Sequence, residues 1–230
     1  MKAVNHSLGG RPGKASGLVL VELLVVLAVI LVVGVIVTVA SYRLRSEHQF
    51  SRIRCESNLR MIGLSFKMFA GDNDSHFPFT TTNSIAYQNT SNAWLHFLSL
   101  SNELGSSKIL VCPEDHCRWN LAANTFYPVT NSDLISLTYV QNKGVSYFLN
   151  VDASETKPDM VLLGDRNVFS PGQQPKGSLL ELAGTNELEW TGSLHTNRGM
   201  VALSDGSVSL NVKTIPAWRN HPDKVRLLLP

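Results

Sequence analysis

From Leu18 to Ala40 the chain reads LVLVELLVVLAVILVVGVIVTVA, an apolar run in which Glu22 is the only charged residue. Wound as an α-helix at about 1.5 Å per residue, it reaches roughly 35 Å, enough to cross a hydrocarbon layer of about 30 Å. A secretory signal peptide has a shorter apolar region, about 7–15 residues, and ends at a small-residue cleavage site. Residues 18–40 therefore read as a transmembrane helix. The segment before it, 1–17, carries Lys2, Arg11 and Lys14 and no acid, which accounts for the small positive balance of 20 Lys and Arg over 18 Asp and Glu. Arg43, Arg45, Arg52 and Arg54 follow the run, so basic residues flank it on both sides and charge counting alone leaves its orientation open.

The helical pattern does not stop at the membrane boundary. Cys55, Leu59, Ile62, Phe66 and Phe69 recur at steps of four, three, four and three, which places them on one face. Residues 41–70 are expected to be an amphipathic continuation that needs a partner surface. Gly71-Asp72-Asn73-Asp74 supplies turn chemistry and Pro78 opposes further helix, so the long helix should end near residue 70. Beyond it, residues 71–230 alternate aromatic and β-branched stretches with Asn, Ser, Gly and Pro clusters, the composition of short strands and long loops. The fold class expected is α+β: a long N-terminal helix packed on a small, mainly antiparallel sheet.

Within 71–230, Lys108–Cys112, Gly144–Asn150 and Met160–Gly164 are the strand candidates, and Trp94–Leu98 is a short helix that Ser91 or Asn92 can cap. Met200–Val212 reads as a hairpin. With Asp205-Gly206 as a two-residue turn, Leu203 opposes Val208 and Val201 opposes Leu210, so that apolar residues meet on one face.

Five groups of residues could carry chemistry. Glu22 costs on the order of 2–3 kcal/mol to insert at the centre of a membrane helix and less near its end, so it either reaches toward headgroups or awaits a positive partner. Cys55, Cys112 and Cys117 allow one disulfide with one thiol left over. Cys55–Cys112 is the preferred pair, since Cys55 shares its face with Leu59 and Ile62 and Cys112 ends an apolar run, while Cys112–Cys117 would close only a short loop. His195, just before the hairpin, could contact Asp165 or Asp205 as a metal or acid–base group or as a structural hydrogen-bond partner. Cys112-Pro113-Glu114-Asp115-His116-Cys117 lacks a second ligand pair for tetrahedral zinc, and Asp72, Asn73 and Asp74 lack the rest of a calcium loop. No metal or other cofactor is assigned on this reading.

Gly17-Leu18-Val19-Leu20-Val21-Glu22-Leu23-Leu24-Val25-Val26 resembles the prepilin signal of type IV pilins and type II secretion pseudopilins. The resemblance makes Gly17 the last leader residue, Leu18 the methylated N-terminus left by prepilin peptidase, and Glu22 the fifth mature residue. Leu18 stands where the family usually begins with Phe. Arg54–Leu64, Phe69–Pro78, Leu110-Val111-Cys112-Pro113, Ser146-Tyr147 and Val161–Asp165 look like segments of a pseudopilin-like group common in Planctomycetes and Verrucomicrobia. That group ends in a His, nine residues, then Asp-Gly, a spacing that His195, Asp205 and Gly206 match.

In such proteins the Glu is thought to neutralise the N-terminal ammonium of a neighbouring subunit. The resemblance implies a structural subunit of a type II secretion pseudopilus or a pilus-like fibre. Its implied partners are prepilin peptidase, other pilin or pseudopilin subunits, an inner-membrane assembly platform and membrane lipid. It also implies a single-pass inner-membrane location with residues 71–230 on the periplasmic side. The competing classes are a membrane-anchored enzyme using His195, Asp165 and Asp205, and a binding or sensor domain on a pilin-type anchor. The chain has no Gly-x-Ser-x-Gly, no His-Glu-x-x-His and no phosphate loop, so no enzymatic activity is assigned. No basic block interleaved with aromatics points to nucleic acid.

Overall fold

The computed structural model describes residues 15–130, 133–183, 186–213 and 225–230. The basic segment with Lys2, Arg11 and Lys14 lies outside them. Packing divides the chain at Glu47/His48 into two units.

Helix α1 (Ala15–Asp72) is a single element. In the first unit, Leu20–Arg43 is long and apolar enough to span a membrane, and its large apolar side chains are exposed. Within the second unit the same helix changes character. Cys55, Leu59, Ile62, Phe66 and Ala70 are fully buried, Phe69 is partly buried, and Ile53, Met61, Leu64 and Met68 on other faces are exposed. The helix runs two residues past the expected end. Its stop is a local hydrogen-bond exchange: Asn73 Nδ2 donates to Phe69 O at 2.8 Å, and the Ser75 N–H reaches back to Ala70 O at 2.8 Å. Asp74 and Ser75 turn the chain with positive φ of 51° and 60°, satisfying carbonyls that the helix end leaves open.

Short helices follow: α2 (Ala93–Ser99), α3 (Ser101–Leu104) and, later, α4 (Leu137–Val140). Asn92 occupies the N-cap of α2 without a side-chain cap bond, and Ser91 does not cap it either. The Trp94 N–H is instead met by Asn142 Oδ1 at 3.1 Å, a distant side chain in the role of a local cap. Lys108–Cys112, expected as a strand, is a 3₁₀ turn over Ser107–Leu110 followed by extended backbone. Ser106 caps that turn by accepting from Lys108 N, and the Val111 N–H turns back to Lys108 O at 3.3 Å, so these backbone donors are used locally rather than in a ladder.

Among the described residues there are eight strands: β1 (Tyr147–Asn150), β2 (Val161–Asp165), β3 (Val168–Phe169), β4 (Leu179–Leu182), β5 (Glu189–Trp190), β6 (Gly199–Leu203), β7 (Val208–Val212) and β8 (Val225–Leu228). Among the described residues, six form one sheet in the order β4-β8-β1-β2-β6-β7, every neighbour antiparallel, and β3 pairs with β5 separately. Strands β1 and β2 lie at its centre and are buried along their whole length. A single core joins the buried face of α1 to this sheet and to the Phe66, Phe77, Phe79 and Phe97 rings. Phe66 meets Phe77 and Phe97 edge-on, with centroids 5.7 and 6.2 Å apart, a geometry that adds roughly 0.5–1.5 kcal/mol per pair to the area buried. The architecture is the α+β arrangement expected, a long helix on a mainly antiparallel sheet with long loops.

The β6–β7 hairpin differs from its expected register. Ala202 opposes Val208 and Val201 opposes Ser209, while the Leu203 N–H donates to Ser207 O at 2.9 Å. Only Gly206 has positive φ, at 88°, and Leu203 O accepts from Gly206 N at 3.0 Å. The connection is thus a three-residue loop, Ser204-Asp205-Gly206, rather than the two-residue turn, which needs two positive φ values. One extra loop residue moves Val208 and Ser209 by one position, an irregularity between Gly199 and Val201 restores the expected pairing at Gly199–Val212, and Leu210 is 43% exposed instead of facing Val201.

Candidate functional site

Two places hold the residues singled out above. In the first unit, Gly17 and Leu18 lie within α1, and Glu22 is exposed one turn further along among exposed Leu20, Val21, Leu23 and Leu24.

In the second unit, a disulfide joins Cys55 of α1 to Cys112, with Cα atoms 5.2 Å apart. Cys117 is an exposed free thiol. His195 Nε2 lies 3.5 Å from Cys112 Sγ and 3.6 Å from Asp165 Oδ2, and His195 Nδ1 lies 2.9 Å from Glu114 Oε2. Asp205 takes no part: its Oδ1 accepts from Ser207 N at 2.8 Å within the exposed hairpin loop. The spacing of His195 to Asp205-Gly206 thus connects a buried histidine to a surface turn.

Backbone geometry holds each member. Asp165 ends β2, and its Oδ2 accepts the Met200 N–H of β6 at 2.8 Å. That approach depends on Gly164, where an added Cβ would lie 2.8 Å from Met200 O, Phe148 Cε1 and Val201 Cγ1. His195, Thr196 and Asn197 all have positive φ, an uncommon run for residues with side chains. Asn167 steadies this loop by donating from Nδ2 to Thr191 O at 2.7 Å and Leu194 O at 3.2 Å.

Next to the cluster, two dipeptides exchange partners. Glu114 meets His195, while its neighbour Asp115 accepts from Arg166 Nε at 2.6 Å, Arg166 Nη2 at 2.8 Å and Ser146 Oγ at 2.8 Å. Asp165 meets the same histidine as Glu114, while its neighbour Arg166 meets Asp115. Arg118 donates to Asn142 O, Val145 O and Pro230 O, tying the same segment to the C-terminus.

The electrostatics follow from burial. Desolvation pushes the Asp165 carboxyl up to about 8, with Glu114 and Asp115 adding to the rise and the Met200 N–H opposing it. Burial lowers the His195 imidazole below its usual value, against the pull of Glu114. Burial would also raise Asp115, but the hydrogen bonds of Arg166 and Ser146 and the charges of Arg166 and Arg118 outweigh it and hold the carboxyl low. Burial thus favours the neutral forms of His195 and Asp165, while the Arg166 and Ser146 contacts favour the ionised form of Asp115. His195 is 3% exposed and Asp165 fully buried, so in this conformation the pair does not offer a proton-transfer group to a substrate.

No family model, curated protein or solved structure matches the chain. Function must be argued from the residues.

The sequence marks His195, Asp165, Cys55 and Cys112, marks Glu114 and Asp115 only beside Cys112 and Cys117 and Ser146 only within a family-like segment, and gives Arg166 no role. The adjacent Asp165-Arg166 is a usable signal, because an acid and a base following a buried apolar run each need a partner where the strand ends.

Proposed function

We propose that this chain is a prepilin-like structural subunit. It is cleaved between Gly17 and Leu18, anchored by α1 in the inner membrane with the His48–Pro230 unit on the periplasmic side, and assembled into a type II secretion pseudopilus or a pilus-like fibre. The observation that carries this reading is α1 itself. One helix holds a membrane-length apolar segment with exposed side chains and a lone acid, and continues without a break to the buried face of a folded unit. An anchor alone has no use for Glu22, whose insertion is unfavourable without a partner. An assembling helix does, since an N-terminal ammonium from a neighbour in the same low-dielectric layer would be stranded without a carboxylate.

Burial of His195 and Asp165 supports a structural over a catalytic use of the second unit. The deciding experiment is intact mass and N-terminal sequencing of the membrane protein from its own host. A mature chain that begins at Leu18 with an added methyl group supports the reading. Retention of residues 2–17, or a start beyond Ala40, refutes it.

A further inference from the structure

Three buried side chains meet at one point of the His48–Pro230 unit, Cys55 from α1, Cys112 and His195 from the loop before β6, and the buried Asp165 at the end of β2 lies beside the histidine. The two sulfurs and a His195 nitrogen all lie within 4.8 Å of one another. We infer that, when the Cys55–Cys112 disulfide is reduced, the two sulfurs, His195 Nε2 and the Asp165 carboxylate form a closed four-ligand site for a thiophilic divalent cation of the zinc type. The inference stands whether or not the chain assembles into fibres.

Three features of the geometry carry it. Ligands about 2.3 Å (sulfur) and 2.0–2.1 Å (nitrogen) from a tetrahedral zinc are about 3.5 Å apart, and His195 Nε2 sits 3.5 Å from Cys112 Sγ and 3.6 Å from Asp165 Oδ2. Asp165 Oδ2 faces His195 while holding the Met200 N–H, and Oδ1 of the same carboxyl is buried without a hydrogen-bond partner, so the group has unused acceptor capacity for a cation. Glu114 Oε2 lies 2.9 Å from His195 Nδ1, close enough that, once the sulfurs are reduced, an Nδ1–H directed at this outer carboxylate would leave Nε2 to ligate. Arg52, 3.9 Å from Glu114, offsets part of the negative charge.

A dithiol reductant passes two electrons and two protons to the cystine and becomes a disulfide itself, breaking one S–S bond and forming another. The freed sulfurs part to the roughly 3.8 Å that two zinc-bound thiolates keep. Entry of the metal releases the two thiol protons and the carboxyl proton to solvent. The metal holds α1 to the Cys112 segment as the disulfide does, and joins β2 and the His195 loop to them. Oxidised cystine and bound metal are mutually exclusive states of one site.

The test uses the full chain in detergent carrying Cys117→Ser, reduced anaerobically with a phosphine, with both thiols counted by mass and then titrated with Co²⁺. Expected is one Co²⁺ per chain with thiolate charge-transfer and tetrahedral ligand-field absorption, displaced by Zn²⁺ and absent from the oxidised protein. His195→Ala and Asp165→Ala should weaken Co²⁺ binding by at least tenfold. Glu114→Gln, which keeps the shape of the outer carboxylate, should weaken it about 10–100-fold. If the reduced chain loses its fold, Co²⁺ added during refolding should restore it. Verified reduced protein that binds no Co²⁺ at one per chain, spectra unchanged by both His195→Ala and Glu114→Gln, or refolding indifferent to Co²⁺ would overturn the inference.

Discussion

Arg166 holds Asp115 through two of its nitrogens, Nε at 2.6 Å from one carboxylate oxygen and Nη2 at 2.8 Å from the other. The Asp115 side chain is 1% exposed and that of Arg166 is 21% exposed. The fork satisfies an acid that burial would otherwise force to take up a proton. Arg166→Leu removes the fork and leaves Asp115 with Ser146, so it is expected to destabilise the domain by about 3–5 kcal/mol. Arg166→Lys should recover only part of the loss, because an ammonium cannot make both parallel bonds. Urea unfolding of the two variants measures this, and an Arg166→Leu protein as stable as wild type would contradict it.

At the hairpin, Gly206 alone takes a left-handed φ, and an added Cβ would also lie 3.4 Å from Lys67 Cδ. Gly206→Val should therefore cost about 1–3 kcal/mol, while Gly206→Asn, which tolerates that conformation, should cost less. The order of the two melting temperatures is the check.

His96 in α2 is fully buried, its Nε2–H donating to Asn89 O at 2.9 Å and its ring edge-on to Phe79 with centroids 5.9 Å apart. Burial lowers its pKa from 6.5 to about 4, partly opposed by the Asn89 hydrogen bond. A base depressed on folding contributes stability that is present above pH 6.5 and is lost as pH falls through about 4. The difference corresponds to on the order of 3 kcal/mol. His96→Gln, which can keep the donor to Asn89, should lose less stability than wild type over that window. His195 titrates in the same direction but is present in both proteins, so it cancels in the difference. Parallel stability curves for the two would contradict the assignment.

Glu22 separates anchoring from assembly. Glu22→Leu makes the exposed segment around Leu20–Leu24 more apolar and should leave insertion and cleavage intact. On the assembly reading it strands a neighbour's ammonium in the fibre core, a loss of about 3–5 kcal/mol per subunit contact, and fibre yield should collapse. Fibres counted against membrane levels of mature protein decide the matter, and normal fibres from the Glu22→Leu variant would remove the role assigned to Glu22.

What the sequence determined by itself is what depends on neighbours a few residues away. Helix hydrogen bonds join residues four apart, so the run Leu18–Ala40 and the steps from Cys55 to Phe66 were enough to specify α1 and its buried face. β1 and β2 were legible as apolar β-rich runs, though not to the residue. Lys108–Cys112 was not, since a short apolar run carries no sign of whether a ladder partner will lie beside it. The hairpin's existence was local, but its register turned on a single extra loop residue. Only the tertiary structure brought Glu114, Asp165 and His195 around Cys112. Their meeting depends on sheet order, on β6 lying against β2 at Gly164 and on a loop held in left-handed backbone, and those non-local pairings leave no period in the chain to read.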